Sequence, residues 1–217
     1  MDLKTREFLG KLGIRVETVP LGSMKLLDWE ELQGLGERSV DCRNWIRNPN
    51  NRAAIGYSID TEHKPCVGIV LRNLHSGVRK DHKTIAPDLK PLWHNFFGAI
   101  PEVYRLGMVV LVEGPKDARV LASAGIPVMA CMAAIPSHEH FRVIHRYAST
   151  VIWIGDRDAP DERTEARLNK ARWQTRELGL KFVEITIPAK DPAELANNPE
   201  WLKRIRDRVY ELSIFTR

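Results

Sequence analysis

The chain has 217 residues, of which 43% are hydrophobic, and its 33 Lys or Arg outnumber its 28 Asp or Glu to give a formal net charge of +5. This length can bury the core of one domain or of two small ones. A membrane-spanning or secreted protein is not indicated, because no apolar run reaches about 18 residues and no signal-peptide pattern opens the sequence. We therefore expect a soluble, cytoplasmic protein.

The three cysteines, Cys42, Cys66 and Cys131, are far apart and lack CxxC spacing. This pattern gives neither a recognisable zinc ribbon nor a disulfide framework.

The first forty residues are predicted to form short helices. Residues 3–12 have helical apolar spacing that ends at Gly13, and Asp28 is placed to cap a helix over residues 29–35. Further along, residues 53–59 and 67–71 predict two strands of a hairpin whose turn is formed by residues 60–65.

The excess positive charge lies in residues 38–90, which contain ten Lys or Arg and five Asp or Glu. Such a segment suits the binding of phosphates, which attract cations, and beside the acidic residues described below it would suit a polymerase or a nuclease. The candidate nucleotide- and nucleic-acid-binding residues are Arg72, Arg79, Lys80 and Lys83. For Arg79 and Lys80, a solvated surface is an equally good interpretation.

Aromatic residues accompany this basic segment, and aromatic rings can stack on bases in single-strand channels. Among Trp45, Trp93, Phe96 and Phe97, we expect only Trp45 to be available for stacking and the others to belong to the core. We expect His138, His140 and His145 to lie on the surface, since their spacing does not place them on one helical face.

Two lobes are predicted, with a boundary near residues 99–105, where Gly98 and Pro101 punctuate the chain. Beyond it, Met108–Val112 reads as a buried strand, Gly114 as a tight turn and residues 115–121 as a helix with Pro115 in its first position. Two further apolar runs, at residues 151–154 and 182–187, predict more strands of a parallel sheet with helical crossovers.

Each of these apolar runs leads into acidic residues. Glu113 closes the first strand, and Asp117 follows about one helical turn later. Asp156 and Asp158 follow the second strand, and Asp191 follows the third. Since carboxylates gathered at the carboxyl ends of parallel strands can bind divalent metal, the pattern points to phosphoryl chemistry.

These acids resemble the motifs of the Toprim domain, the catalytic module of bacterial and phage primases, topoisomerases and several nucleases. The resemblance covers roughly residues 105–195. It matches Glu113 to the family's glutamate, Asp117 to its companion aspartate in primases, Asp156 and Asp158 to the Asp-x-Asp pair, and Asp191 to the first acid of the third site. Ala193 stands where primases usually have a second aspartate, so two complete metal sites are implied and not three.

Residues 50–100 resemble the small N-terminal subdomain of the DnaG-type primase core. In the run AIGYSIDTEHKPCVGIVLR, Arg72 occupies the place of the arginine that ends the family's hairpin. In DHKTIAPDLKPLWHNFFGA, Lys83 matches a loop lysine, and residues 91–94 match a Pro-Leu-aromatic-His segment that leads back to the Toprim domain.

The resemblance implies an α/β fold, with a Toprim domain of parallel sheet and flanking helices preceded by a smaller mixed α+β subdomain. The expected domains are residues 1–100, 101–195 and a C-terminal helix within 196–217. The helix, predicted over residues 199–212, has an apolar face formed by Leu202, Ile205, Val209 and Leu212.

The implied function is that of a DNA primase: synthesis of short RNA primers on a single-stranded DNA template by two-metal nucleotidyl transfer. Glu113, Asp156 and Asp158 are the expected catalytic residues, and Asp117 and Asp191 join them as metal ligands. Mg²⁺ or Mn²⁺ suits such an oxygen-only site. The expected partners are the template, nucleoside triphosphates and a replicative helicase, and we expect no membrane.

Alternative functions stay open at this point. A Toprim nuclease would use the same acids with water as the nucleophile, and a noncatalytic replication accessory protein could keep the fold. The chain would be either an excised catalytic core or a compact stand-alone primase of a phage or mobile element.

Overall fold

The computed structural model describes residues 24–49, 51–74, 82–86, 90–156 and 162–214. The helix predicted over residues 3–12 lies outside these ranges. The described residues form two four-stranded sheets with helices packed on them, which confirms the predicted α/β fold class.

The first sheet is antiparallel and has the order β1-β2-β3-β4. Its strands are β1 (Met24–Leu27), β2 (Ala54–Ile59), β3 (Gly68–Asn73) and β4 (His82–Ile85). The predicted hairpin is confirmed in β2 and β3, which agree with the expected strands to within about two residues.

Two short helices, α1 (Trp29–Arg38) and α2 (Val40–Trp45), cover one face of this sheet. The Asp28 carboxylate accepts from the Glu31 amide at 3.0 Å, and the Glu31 side chain accepts from the Asp28 amide, so the predicted cap is a complete capping box. The opposite face of the sheet, with Tyr57 and Val70, packs toward the second lobe.

The second sheet is parallel, with the order β6-β5-β7-β8. It consists of β5 (Met108–Val112), β6 (Val128–Ala130), β7 (Thr150–Trp153) and β8 (Lys181–Glu184). Strand β5 and the apolar run of β7 lie as predicted, whereas β8 ends at Glu184, before the predicted end of that strand. Strands β5, β6 and β7 are buried along their whole length, which is why they read as continuous apolar runs.

Helices cover both faces of this sheet. Successive residues of each strand point to opposite faces, so alternate residues contact different helices. Val110 and Ile152 pack with α4 (Pro115–Ser123) and the C-terminal helix α7 (Pro199–Ile214). Val109 and Val151 face the other way, toward α3 (Phe96–Leu106), α5 (His138–Ile144) and α6 (Glu162–Glu177). A 3₁₀ helix, Pro192–Asn197, follows β8 and precedes α7.

The segment Trp93–His94 joins the two sheets. Trp93 exchanges backbone hydrogen bonds with Asp60 at the end of β2, and His94 exchanges them with Ala130 of β6. A single extended segment therefore bridges both sheets through main-chain bonds.

Helix α3 runs continuously through the segment where the sequence predicted a domain boundary, and it ends at Gly107, whose φ of +70° is favourable for glycine. The division at residues 100 and 195 stays a prediction. The C-terminal helix buries Leu202, Ile205, Val209 and Leu212, the four residues of its predicted apolar face.

Three expectations about individual side chains are wrong. Trp45 is only 8% exposed and belongs to the core beneath α1 and α2, so it is not free to stack. Phe97, expected in the core, is 42% exposed. His140 is buried, because α5 turns it inward against Trp93, where its Nε2 lies 3.2 Å from the carbonyl oxygen of Leu92.

Among the described residues, no helix has the length and apolar character needed to cross a membrane.

Asp60 provides a test of how the lobes are held. Its buried carboxylate accepts from the amides of Cys66 at 3.0 Å and Phe96 at 3.2 Å. Asp60→Ala leaves two amides without acceptors, so we expect the free energy of unfolding to fall by about 2–4 kcal/mol. Denaturant unfolding measures this, with Asp207→Ala at a half-buried position of α7 as the control. Equal stability of the two variants would contradict this role.

Candidate active site between the two sheets

A cavity of about 280 Å³ opens between the first sheet and the carboxyl edge of the second. Helix α4 supplies one wall and strands β2 and β3 supply the other. The cavity is lined by Tyr57, Val70, Arg72, Gly114, Pro115, Lys116, Asp117, Asp156 and Asp191. Three of the acids predicted from the sequence thus meet here, next to two cationic side chains.

Helix α4 places Asp117 in its first turn, as the sequence predicted. Gly114 is the N-cap and Pro115 occupies the first helical position, where its missing N–H costs no hydrogen bond. A Cβ at position 114 would lie 2.9 Å from Oδ2 of Asp117. A side chain at position 114 would therefore displace the Asp117 carboxylate from its present position.

The Asp117 carboxyl is 8% exposed, and its pKa is raised to about 7. Burial is the main cause, followed by the charges of Asp191 and Asp156. The Ala193 amide, which donates to Oδ1 of Asp117 at 3.0 Å, and the Lys116 ammonium act in the opposite direction. The site thus holds negative charge that its own cations do not fully balance.

Asp156 and Asp191 reach the cavity from two different strand ends. Asp156 lies three residues beyond the end of β7 and is partly buried. Asp191 caps the 3₁₀ helix, and its Oδ1 accepts from the Glu194 amide at 3.0 Å. Because both side chains act on the pKa of Asp117, the three carboxylates form one electrostatic unit.

Glu113 lies at the same edge of the sheet but on its other side. It continues the alternation of Val109 and Leu111, and its charge acts on the neighbouring Cys131 thiol, whose pKa burial and then Glu113 raise to about 12. Glu113 is not among the side chains that line the cavity. Its predicted role as a ligand or base stays a prediction.

Arg72 faces the cavity because β3 directs Val70 and Arg72 to the same side.

Two residues that line the cavity were not predicted from the sequence. Lys116 follows Pro115 in the first turn of α4, and Tyr57 lies opposite Val70 in the β2–β3 ladder. Burial raises the pKa of Tyr57 to about 12, so its phenol keeps its proton at neutral pH.

Lys83 lies on the other face of the first sheet. It pairs with Leu71 in the ladder, and its Nζ is 2.8 Å from Oδ1 of Asp41 on α2. Its predicted nucleic-acid contact stays a prediction, as do those of Arg79 and Lys80. These two residues and Asp158 lie outside the described residues.

The donor set of the cavity fits a hard divalent cation. Its carboxylates offer oxygen ligands only, and their mutual repulsion would be relieved by positive charge. Within the described ranges, no three acidic, His or Cys side chains are grouped closely enough to form a complete metal site. Asp117, Asp156 and Asp191 would thus supply only part of the ligands of a cation. Waters or substrate oxygens would supply the others, as is common for Mg²⁺ in proteins.

No family model matches this sequence. No curated protein matches it either.

Solved structures match it strongly in fold. The DnaG primase catalytic domain bound to ssDNA has a TM-score of 0.70 at 16% identity, over 96% of this chain and 71% of that one. The E. coli primase catalytic core gives 0.67 at 16% identity, over 97% and 75%. The zinc-binding and RNA polymerase domains of the Aquifex aeolicus primase give 0.68 at 15% identity, over 96% and 56%.

These matches define the fold as that of a primase catalytic core, with a parallel Toprim sheet and an antiparallel sheet beside it. The resemblance drawn from the sequence is confirmed at this level. The chain corresponds to a little over half of the two-domain Aquifex aeolicus structure.

The raised pKa of Asp117 gives a stability test. A carboxyl whose folded pKa of about 7 exceeds its ordinary 3.8 binds more protons when folded, so stability falls as pH rises from about 4 through 7. Asp117→Asn removes the charge while its amide oxygen can still accept from Ala193. In EDTA at pH 8 we expect the variant to be more stable by roughly 2–4 kcal/mol, and by less at pH 5.

Calorimetry at the two pH values measures this change, with Glu177→Gln at the exposed end of α6 as the control. Mg²⁺ should raise the Tm of the wild-type protein more than that of Asp117→Asn. A stability gain that is independent of pH would contradict the electrostatic account.

Proposed function

We propose that the chain is the catalytic core of a DNA primase, which synthesises short RNA primers on a single-stranded DNA template. The observation that carries this proposal is the meeting of Asp117, Asp156 and Asp191 with Arg72 and Lys116 in one cavity. Carboxylates and cations side by side suit a triphosphate, because its oxygens require both bridging metal ions and donor groups.

In this mechanism Asp117, Asp156 and Asp191 would hold Mg²⁺ or Mn²⁺, with Asp158 and Glu113 as further ligands. When bound, the cations would neutralise phosphate charge and lower the pKa of the attacking 3′-hydroxyl. Asp117 must be ionised to bind a cation, and the cation's charge favours that form. Glu113, which lies at the same edge of the sheet but does not line the cavity, would serve as a ligand or as the base that accepts the hydroxyl proton.

Arg72 and Lys116 would orient the incoming nucleotide. A guanidinium offers paired donors to two phosphate oxygens, whereas an ammonium supplies a compact positive charge. Tyr57 keeps its proton and can donate to a phosphate or sugar oxygen without adding charge. These contacts fix the α-phosphate for in-line attack.

The basic segment of residues 38–90 would guide the template to this cavity. Arg79, Lys80 and Lys83 belong to that proposed path. Support comes from the similar fold of a primase domain solved with ssDNA and of a Mycobacterium tuberculosis primase domain solved with double-stranded DNA. A replicative helicase is the further partner that a primase would need to reach a replication fork.

The first test removes a carboxylate. Asp156→Ala should lower primer synthesis at least about a hundredfold, because cation stabilisation of the transition state is worth several kcal/mol. Gel analysis of labelled products in Mg²⁺ or Mn²⁺, with each nucleotide set, measures the yield, and Asp207→Ala is the control. Template binding by the variant should be retained.

Two results would contradict the proposal. Primer yield unchanged in Asp156→Ala would remove the acids from the chemistry. Shortening of the labelled strand, independent of added nucleotides, would indicate a nuclease.

The second test addresses Arg72. Loss of a charge-assisted contact costs about 1.5–3 kcal/mol, so Arg72→Ala should raise KM for the nucleotide roughly ten- to a hundredfold. Arg72→Lys should recover part of the loss, because it keeps the charge but not the paired donors. Steady-state kinetics measure both, with Arg208→Ala on α7 as the control. An unaltered KM in Arg72→Ala would exclude this contact.

A further inference from the structure

Helix α6 carries an exposed tryptophan that the proposed catalytic site does not use. The side chain of Trp173 is 57% exposed, whereas Trp45, Trp93 and Trp153 are buried. Two other tryptophans are covered by cations, since Arg52 lies 3.8 Å from the ring centre of Trp29 and Arg204 lies 5.1 Å from that of Trp201. No described cation lies over the ring of Trp173 in this way.

Cationic side chains surround Trp173 on the same helix. Lys170 lies three residues before it and Arg176 three residues after it, so each is one turn away. Arg172 is engaged by Glu165 and Glu184. Arg167, Lys170 and Arg176 form no ion pair with any residue in the described ranges, so their charge remains available to an anion.

A groove of about 440 Å³ lies beside this part of α6. It is lined by the loop that follows β6, by His138 and the acidic Glu139 of α5, and by Arg167, Lys170 and Gln174 of α6. Lys170 thus borders both the groove and Trp173. We call the set Arg167, Lys170, Trp173 and Arg176, together with this groove, the Trp173 face.

The start of α6 lies at the carboxyl edge of the parallel sheet, beside the acidic cavity, whereas Trp173 and Arg176 lie in its last two turns, toward the opposite edge. A second cavity lies at the carboxyl edge, where Asp156 lines both it and the acidic cavity and Thr164, Glu165 and Leu168 of α6 form its other wall. The helical repeat places Lys170 and Trp173 on another side of α6 than these three residues. A strand would therefore reach Trp173 from the acidic cavity by crossing the exposed surface of α6.

We propose that the Trp173 face binds single-stranded nucleic acid outside the catalytic cavity, with a base stacked on Trp173 and phosphates held by Lys170, Arg167 and Arg176. An exposed aromatic ring between free cations has the chemistry of a single-strand platform, because every base has a face that can stack. An acidic protein segment could pair with the cations, but it would not account for the exposed indole ring between them. The inference rests on the proposed function only in taking the strand to be template or product.

The test measures binding without synthesis. The full chain is titrated into a labelled oligothymidylate of about 16 nucleotides in EDTA, followed by fluorescence anisotropy. Trp173→Ala should weaken binding about fivefold or more, and Trp173→Phe should recover part of the loss because a smaller ring still stacks. Tyr104→Ala is the matched control, since Tyr104 is 74% exposed on α3, where the neighbouring Arg105 is paired with Glu102.

Salt dependence tests the cations separately. Lys170→Gln should reduce the slope of log affinity against log salt by about 0.7, the value for one phosphate contact on a single strand. Binding should also quench tryptophan emission in the wild-type protein and less so in Trp173→Phe. Both substitutions are at exposed positions, and thermal unfolding confirms that the variants are folded.

Unchanged affinity in both Trp173→Ala and Lys170→Gln would overturn the proposal. So would equal competition by oligoglutamate of the same charge, which would assign the face to an acidic protein partner. Loss of primer synthesis in every assay, with these binding effects intact, would reject the primase function and leave the Trp173 face standing.

Discussion

The arrangement of the two sheets depends on the short segment Trp93–His94, which hydrogen-bonds to both. Asp60 of the antiparallel lobe and Ala130 of the parallel sheet are its main-chain partners. The acidic cavity lies between these lobes, so a shift of this segment would move Arg72 relative to Asp117. Side chains reinforce the bridge. Nδ1 of His94 lies 2.6 Å from the carbonyl oxygen of Ser58 and donates to it, while Nε2 accepts from Nε of Arg119 at 2.7 Å.

This His94–Arg119 pair works only while the imidazole is neutral. Burial and then the Arg119 charge hold the pKa of His94 well below its usual range, so the ring can accept from the guanidinium. Burial likewise lowers the pKa of Arg119 to about 10, and Asp60 acts against that shift. Since Arg119 follows Asp117 by two residues on α4, one helix carries the acid toward the cavity and the base toward the bridge. The position of the acid is thereby linked to the packing of the lobes.

Much of the fold could be predicted because its signals are local. Continuous apolar runs marked β5 and β7, and the capping residue Asp28 marked α1. The sequence also placed Asp117, Asp156 and Asp191 at strand and helix ends that converge at one edge. The sequence could not show that Arg72 faces the cavity while Lys83 lies on the other face of the first sheet. Alternation along a strand shows which residues share a face, but not which face meets the other lobe. The predicted exposure of His140 and Trp45 was wrong for a similar reason. Their burial depends on packing partners, Trp93 and α1, that spacing along the chain does not reveal.

Ala193 occupies the position at which the primases that the sequence resembles usually have a second aspartate. The position still contributes to the cavity, because its backbone amide donates to Asp117 whatever side chain it carries. The alanine side chain is buried, where a carboxylate would lose its hydration and add a further negative charge close to Asp117. Since Asp117 already has a pKa of about 7 from burial, Asp191 and Asp156, another carboxylate would push it further toward the protonated form that cannot bind a cation. Alanine at this position therefore leaves Asp117 better able to ionise than a second carboxylate would.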